Sequence, residues 1–165
     1  MLKELCNNSN YEDYTIFLSI NKKYIKNIKQ IINHYDLHKC KLVRMDTRQY
    51  FKTIASAKYL INDNTFLPFF IKRDEQVYLN TWHGTPLKTL GKRINNDYHN
   101  IGNPIKNFVV SDYLLYPNEF TKEHMIEDYM LKGIANNKIM LCGYPRNEVF
   151  LRDDMQEVKE KKDQR

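Results

Sequence analysis

The amino-acid sequence predicts an α/β fold built around a mostly parallel sheet. Two observations favour this class. Short apolar segments of strand length alternate along the chain with segments of helical character, which is typical of successive βαβ units. In addition, 42% of the 165 residues are hydrophobic and 13% are aromatic, which is enough to bury a core. The length allows one ordinary domain.

Six segments are predicted to be strands, because each is short and rich in apolar residues and most end at turn-forming or polar residues. In chain order they are residues 15–20, 41–45, 58–61, 76–81, 113–116 and 138–142.

The helices are placed by periodicity and by capping residues. Between the first two strands, apolar residues recur at the spacing of an amphipathic helix. They are Tyr24, Ile25, Ile28, Ile31, Ile32 and Tyr35. Residues 48–57 are predicted to form a short helix, and His83 to open another. Asn118 is a good N-cap for a helix that runs to Met130. Residues 105–110 fit either a helix or a strand, and the polar residues 151–165 suit an exposed helix or a frayed end.

The net charge of +6 is concentrated in one part of the chain. Residues 21–48 contain eight basic and two acidic residues, and Lys22, Lys26 and Lys29 fall on the polar side of the first predicted helix. Such a face suits anionic lipid, a polyphosphate polymer or nucleic acid. The plain alternative is a solvated outer face. Nucleic acid is the least favoured partner, because the basic residues are not interleaved with aromatic ones in a known RNA-binding pattern.

The sequence predicts an intracellular protein without a membrane span. No apolar run approaches the roughly 18 residues that a span needs, and the N-terminus has no apolar region typical of a signal peptide. The three cysteines form no C-x-x-C pair, which suits reduced thiols in a cytosolic protein.

His34 and His38 have the i, i+4 spacing of a metal-binding pair, but the glutamate of a zinc hydrolase is missing. No metal and no cofactor are expected.

Residues 81–88, Thr-Trp-His-Gly-Thr-Pro-Leu-Lys, are the richest candidate for chemistry. They follow a predicted strand, and open α/β sheets bind ligands at the carboxyl ends of their strands. Thr85 and Pro86 suit the start of a helix, whose amides and dipole favour phosphate. His83 can accept a proton near neutral pH, Gly84 lets a ligand approach the backbone, and Lys88 adds positive charge. Trp82 is predicted to pack beside the site. The alternative is a capping turn with an incidental histidine.

The same segment resembles the Trp-His-Gly motif of the CDP-glycerol glycerophosphotransferase family, the primases and polymerases of teichoic acid. Three further stretches resemble this family in the expected order: residues 57–63 (Ala-Lys-Tyr-Leu-Ile-Asn-Asp), 111–115 (Ser-Asp-Tyr-Leu-Leu) and 143–147 (Gly-Tyr-Pro-Arg-Asn). The resemblance covers roughly residues 14–150. One departure is Glu148, where the family more often has Asp.

The resemblance implies a GT-B fold of two Rossmann-like domains, of which residues 1–150 form the acceptor-side half. It also implies transfer of glycerol phosphate from CDP-glycerol to a lipid-linked glycerol phosphate or teichoic acid acceptor. The family's proposed base is here His83. The resemblance places Gly84, Thr85, Pro86 and Leu87 against the donor pyrophosphate, which Arg146 also reaches.

The resemblance also implies a location and a missing part. We expect a peripheral protein on the cytoplasmic face of the membrane, where Lys22, Lys26 and Lys29 meet the anionic surface or the acceptor. The donor half of such an enzyme needs on the order of 150 more residues, so we expect this chain to be a fragment with little activity of its own. The alternative function is an inactive module that binds the acceptor or the membrane surface.

Overall fold

A computed structural model of the chain describes residues 1–94 and 98–147, without the side chains of residues 98 and 99. The chain divides into two compact units, Met1–Ala57 and Lys58–Arg165. The predicted polar segment 151–165 and Glu148 lie outside the described residues. The single acceptor-side domain over residues 1–150 stays a prediction.

The first unit is one βαβ motif with a helix on either side of it in the sequence. Its elements are α1 (Leu2–Asn7), β1 (Ile16–Ile20), α2 (Ile25–His34), β2 (Cys40–Arg44) and α3 (Arg48–Ser56). Strands β1 and β2 pair in parallel, from Ile16 opposite Cys40 to Ile20 opposite Arg44. A parallel pair needs a crossover connection, and α2 provides it.

The first unit has a small hydrophobic core of its own. Ile32 of α2 packs with Leu37 and Cys40, and neighbouring apolar side chains complete the cluster. The predicted apolar stripe of α2 is only partly covered in this unit. Ile32 is buried, whereas Tyr24, Ile31 and Tyr35 are each nearly half exposed.

The second unit contains a four-stranded parallel sheet in sequence order. Its strands are β3 (Tyr59–Asn62), β4 (Val77–Asn80), β5 (Tyr113–Tyr116) and β6 (Ile139–Leu141). Helix α4 (Tyr98–Val110) connects β4 to β5, and α5 (Glu119–Asp128) connects β5 to β6. A single 3-10 turn, Gly91–Arg93, precedes α4.

The core of the second unit lies between the sheet and these helices. Trp82, Phe108 and Tyr129 meet edge to face, with ring centroids 4.9 to 6.0 Å apart. Leu114 and Met125 are completely buried beside them. Helix α5 begins where the sequence predicts, because the Asn118 side chain accepts a hydrogen bond from the Thr121 backbone N–H at 2.8 Å.

The predicted α/β class is confirmed, and all six predicted strands are present within one residue at each end. The helices predicted over residues 24–35, 48–57 and 118–130 are present as α2, α3 and α5. The ambiguous residues 105–110 belong to α4. The strands form two sheets, a division that the alternation of strands and helices does not predict.

The prediction that His83 opens a helix is wrong. Residues 83–90 form an irregular loop, so Thr85 is no N-cap and Pro86 is no first helical residue. Two threonines, a proline and flanking glycines give this segment weak helix propensity. The Thr85 hydroxyl accepts a hydrogen bond from the Thr121 hydroxyl at 3.2 Å instead of capping a helix. No helix dipole is therefore present at this position to favour an anion.

Candidate active site

The candidate site lies at the carboxyl edge of the four-stranded sheet. Because all four strands run in parallel, the segments that follow them emerge at the same edge. The segment after β3 carries Asp63, the segment after β4 carries His83, and the segment after β6 carries Arg146. Hydrogen bonds join these three segments in the structure.

His83 is held by a backbone carbonyl. Its Nδ1 lies 3.0 Å from the Asp63 carbonyl oxygen. A carbonyl only accepts hydrogen bonds, so this contact requires the proton on Nδ1. In the neutral ring, Nε2 then has the free lone pair, and no described residue bonds to it. The imidazole is exposed to solvent, so Nε2 is available to accept a proton from a substrate.

The neighbouring Trp82 fixes the backbone from which His83 projects. Trp82 has a φ of +51°, in the left-handed region that few large side chains adopt. Its indole is buried in the core, which confirms the prediction that it packs beside the site. The indole and imidazole centroids lie 4.0 Å apart at an interplanar angle of 31°. The turn therefore places one ring inside the core and the next one at the surface.

Arg146 reaches the loop that contains His83. Its Nη1 donates a hydrogen bond to the His83 carbonyl at 3.0 Å, and its guanidinium carbon lies 4.6 Å from the centroid of the Tyr144 ring. A Cβ added at Gly84 would find Arg146 Nη2 at 3.9 Å, which is an ordinary contact. The structure thus brings His83, Gly84 and Arg146 together, as the sequence analysis expects. Their roles in binding stay predictions.

The Tyr144 ring packs against the guanidinium of Arg146. Its side chain is buried, and burial raises the pKa of its hydroxyl, an effect that nearby Thr85 and Arg146 reduce. No described residue makes a hydrogen bond of good geometry to that hydroxyl. Because its pKa is raised, the Tyr144 hydroxyl is neutral near pH 7, and the side chain contacts Arg146 through its ring.

The rest of the loop lines a groove of about 340 Å³ against α5. Leu87 and Lys88 are exposed, and no described residue forms an ion pair with Lys88. Arg93 Nε lies 2.7 Å from Oδ1 of the buried Asp128, an ion pair without hydrogen-bond geometry. The groove is therefore open and carries positive charge. Its lining residues are Pro86, Leu87, Lys88, Thr89, Arg93, Phe120, His124 and Asp128.

The basic residues singled out for an anionic surface belong to the first unit. Lys26 and Lys29 lie on α2 and Lys22 on the turn before it, and all three are exposed. No described residue forms an ion pair with them. The half-exposed Tyr24, Ile31 and Tyr35 belong to the same segment. Apolar and cationic side chains are therefore both accessible on α2.

Two other observations concern metals and membranes. Within residues 1–94 and 98–147, no group of three His, Cys, Asp or Glu side chains is arranged to hold a metal ion, and His38 pairs with Asp36 at 3.0 Å. None of the helices in the described part of the chain has the length and apolar character needed to cross a bilayer.

Some residues of the site were missed by the sequence analysis. The Asp63 carbonyl and the Thr121 hydroxyl contact the loop through tertiary structure, and the Asn80 amide binds the backbone of Trp82 just before it. Asp63 ends the stretch 57–63 that resembles the family, but its carbonyl was given no role, and only the position of Asn80 at a strand end could have drawn attention to it. The stretch at residues 111–115 lies elsewhere: Asp112 accepts from the Tyr78 backbone N–H at 2.7 Å, where β4 begins.

The parallel α/β fold with its polar residues at one sheet edge is that of a GT-B protein. A solved structure of the wall teichoic acid polymerase TagF, soaked with CDPG for 30 minutes, matches this chain with a TM-score of 0.67 at 20% identity. The match covers 97% of this chain and 48% of that one. At this identity, the likeness establishes the fold.

The family follows from the sequence itself. The family model for CDP-Glycerol:Poly(glycerophosphate) glycerophosphotransferase matches residues 1–164, so the chain belongs to this family. The teichoic acid poly(glycerol phosphate) polymerase of Bacillus subtilis (strain 168) is 31% identical over 159 residues, which are 90% of this chain and 19% of that protein.

A second relative is the teichoic acid glycerol-phosphate transferase of Staphylococcus aureus (strain NCTC 8325 / PS 47). It is 29% identical over 123 residues, which are 69% of this chain and 30% of that protein. The chain thus spans less than half of the length of each of these proteins.

Proposed function

We propose that the protein to which this chain belongs transfers glycerol phosphate from CDP-glycerol to a lipid-linked glycerol phosphate or teichoic acid acceptor. Membership in the glycerophosphotransferase family supports the reaction class. The observation that carries the proposal is the contact between His83 Nδ1 and the Asp63 carbonyl, because it leaves Nε2 as a proton acceptor at the surface.

In this reaction the acceptor hydroxyl attacks the phosphorus next to glycerol. A new oxygen–phosphorus bond forms, the bond to the CMP oxygen breaks, and CMP leaves with the electron pair. The hydroxyl proton passes to His83 Nε2. Such general base catalysis contributes typically about 10²- to 10⁴-fold to a rate. The Asp63 carbonyl then accepts a charge-assisted hydrogen bond from the Nδ1–H of the imidazolium.

The same loop is suited to the negative charge of the donor. Gly84 has no positive φ, and no close contact with a described atom excludes a side chain there. A glycine at this position lets a phosphate approach the backbone closely, because no side chain stands in the way. Arg146 uses one of its five N–H groups on the His83 carbonyl, which leaves the others for the pyrophosphate. Lys88 adds charge from the exposed loop, and Thr85, Pro86 and Leu87 complete the donor-facing surface.

The transferase assay is release of CMP from CDP-glycerol by the native gene product, with a lipid-linked glycerol phosphate acceptor. We expect acceptor-dependent release. CDP-ribitol, offered in parallel, distinguishes glycerol phosphate from ribitol phosphate transfer. Absence of CMP release from either donor would contradict the proposed reaction.

A second candidate function, binding to an anionic membrane surface, is favoured by α2. Exposed lysines beside exposed tyrosine and isoleucine side chains match the composition of interfacial helices. In this proposal Lys22, Lys26 and Lys29 hold the protein at the cytoplasmic face of the membrane, where the lipid-linked acceptor lies, and nucleic acid is no partner.

The membrane proposal is tested with the 165-residue chain and vesicles containing an anionic lipid. Co-sedimentation is expected at low salt and weakens as salt rises, because screening reduces the attraction. The variant with Gln at positions 22, 26 and 29 should lose binding. The variant with Gln at positions 52, 58 and 132, which removes three exposed lysines outside α2, should retain it. Equal sedimentation of both variants would contradict a role for these lysines.

A further inference from the structure

We infer that Asn80 is a positioning residue that holds His83 in the tautomer with the proton on Nδ1. The inference rests on the proposed role of His83 as the base. It concerns a residue that never faces the substrate, because Asn80 is only 1% exposed.

The amide of Asn80 has three hydrogen-bond partners. Its Oδ1 accepts from the Trp82 backbone N–H at 2.9 Å. Its Nδ2 donates to the Asn64 carbonyl at 2.8 Å and to the Tyr78 hydroxyl at 3.0 Å. The orientation of the amide is unambiguous, because a backbone N–H can only donate and a carbonyl can only accept.

Two of these partners, Trp82 and Asn64, are the chain neighbours of the two residues that make the histidine contact. Trp82 immediately precedes His83, which carries Nδ1, and Asn64 immediately follows Asp63, which carries the accepting carbonyl. One buried amide therefore ties together the two segments between which the contact of 3.0 Å is made. The Trp82 N–H that it binds belongs to the residue with φ +51°, so Asn80 also stabilises the turn that projects His83 outward.

Two other side-chain amides fix only one of these segments. Asn107 Oδ1 accepts from the Phe66 N–H at 2.8 Å, and Asn103 Nδ2 donates to the Phe66 carbonyl at 3.0 Å. Both come from α4 and hold the segment after β3. Among the described side chains, Asn80 alone has hydrogen bonds to both the 63–66 segment and the backbone of Trp82.

This geometry predicts one tautomer of His83. The free histidine side chain in its neutral form prefers the proton on Nε2, whereas the contact with a carbonyl requires it on Nδ1. Without the Asn80 amide, the Thr81 backbone N–H still donates to the Asn62 carbonyl at 2.9 Å, but residues 63 and 64 lose their side-chain link to Trp82. The carbonyl then no longer faces Nδ1 at hydrogen-bond distance, and the tautomer reverts to the form in which Nε2 cannot accept a proton.

The test is long-range ¹H–¹⁵N NMR of the histidine rings in the 165-residue chain, which distinguishes the two tautomers directly. Wild type should show His83 with the proton on Nδ1. Asn80→Ala should shift the population to Nε2–H. Asn80→Asp should do the same, because a carboxylate loses the donor to Asn64. Asn118→Ala is the matched control, since it removes a hydrogen-bonding asparagine that caps α5 and should leave the His83 signals unchanged.

A purely structural role for Asn80 predicts lower stability with the His83 tautomer unchanged, and that result would overturn the inference. So would failure of both Asn80 variants to fold, because the residue would then be needed for the fold and not for positioning.

In the native gene product, Asn80→Ala should lower kcat by roughly 100-fold, as a misplaced catalytic group does, with KM for CDP-glycerol nearly unchanged. The tautomer readout needs no transferase activity, so it fails or succeeds independently of the proposed function.

Discussion

Gly91, just after the His83 loop, lies against the backbone at the end of α5. Its replacement by alanine should strongly destabilise the second unit. The residue has a φ of +54°, and a Cβ built on it would lie 2.0 Å from the carbonyl oxygen of Asp128 and 2.6 Å from the carbonyl carbon. Both atoms belong to the backbone at the end of α5. Real Cβ contacts essentially never fall below 3.0 Å, so the turn or the helix end must shift by about an ångström to accommodate alanine.

Two costs add up in this variant. A left-handed φ costs an alanine roughly 1–2 kcal/mol relative to glycine. Relieving the overlap with a backbone carbonyl costs about 1–3 kcal/mol more, as for other overpacked sites. The free energy of unfolding should therefore fall by about 2–5 kcal/mol, and Tm by roughly 10 °C for a chain of this size.

Two other glycines separate these costs. Gly133 has a φ of +80° with nothing within 4 Å of an added Cβ, so Gly133→Ala should lose only the roughly 1–2 kcal/mol of the backbone conformation. Gly102 lies exposed in α4 with open space around it, so Gly102→Ala should stabilise the chain by roughly 0.5–1 kcal/mol. Urea and thermal unfolding of the three variants measure the differences. Equal losses for Gly91→Ala and Gly133→Ala would refute the close approach of Gly91 to α5.

Two further predictions concern α5. Asn118→Ala removes the N-cap hydrogen bond to Thr121 and should lower the free energy of unfolding by about 1 kcal/mol, whereas Asn118→Asp should retain it in urea denaturation; equal loss would contradict the cap. Lys92, 2.5 Å from Glu127, holds the pKa of that exposed carboxyl below its ordinary value near 4.5. The pair therefore contributes stability above the ordinary pKa and loses it as the pH falls through the folded-state value. Lys92→Gln should raise the pKa of Glu127 in an NMR titration, and an unchanged pKa would show that Lys92 is not the cause.

The elements of the fold that were predictable from the sequence depend on local signals. Each strand is a short apolar run, and Asn118 caps α5 through a hydrogen bond three residues away, so neighbouring residues contain the information. The helix predicted at His83 shows the limit of such signals. Thr85 followed by Pro86 looks like a helix start, but the backbone direction is set at Trp82, whose N–H is bound by the buried Asn80.

The candidate site was predictable in part. His83 and Gly84 stand out because they follow a strand in a parallel sheet, and Arg146 was assigned through the family resemblance. The contact of His83 with the Asp63 carbonyl joins residues 20 positions apart, and the contact of Arg146 with the His83 carbonyl joins residues 63 apart. The parallel pairing of the four strands brings these segments to one edge, and no single segment determines which strands pair.

The proposed role of His83 as the proton acceptor of a glycerophosphate transfer can be measured as CMP release from CDP-glycerol. The native gene product is compared with its His83→Ala variant, with His38→Ala as a control for loss of a surface histidine. We expect a rate about 10²- to 10⁴-fold lower for His83→Ala, with the fold intact, and an unchanged rate for His38→Ala. A folded His83→Ala variant that releases CMP at the wild-type rate would contradict it.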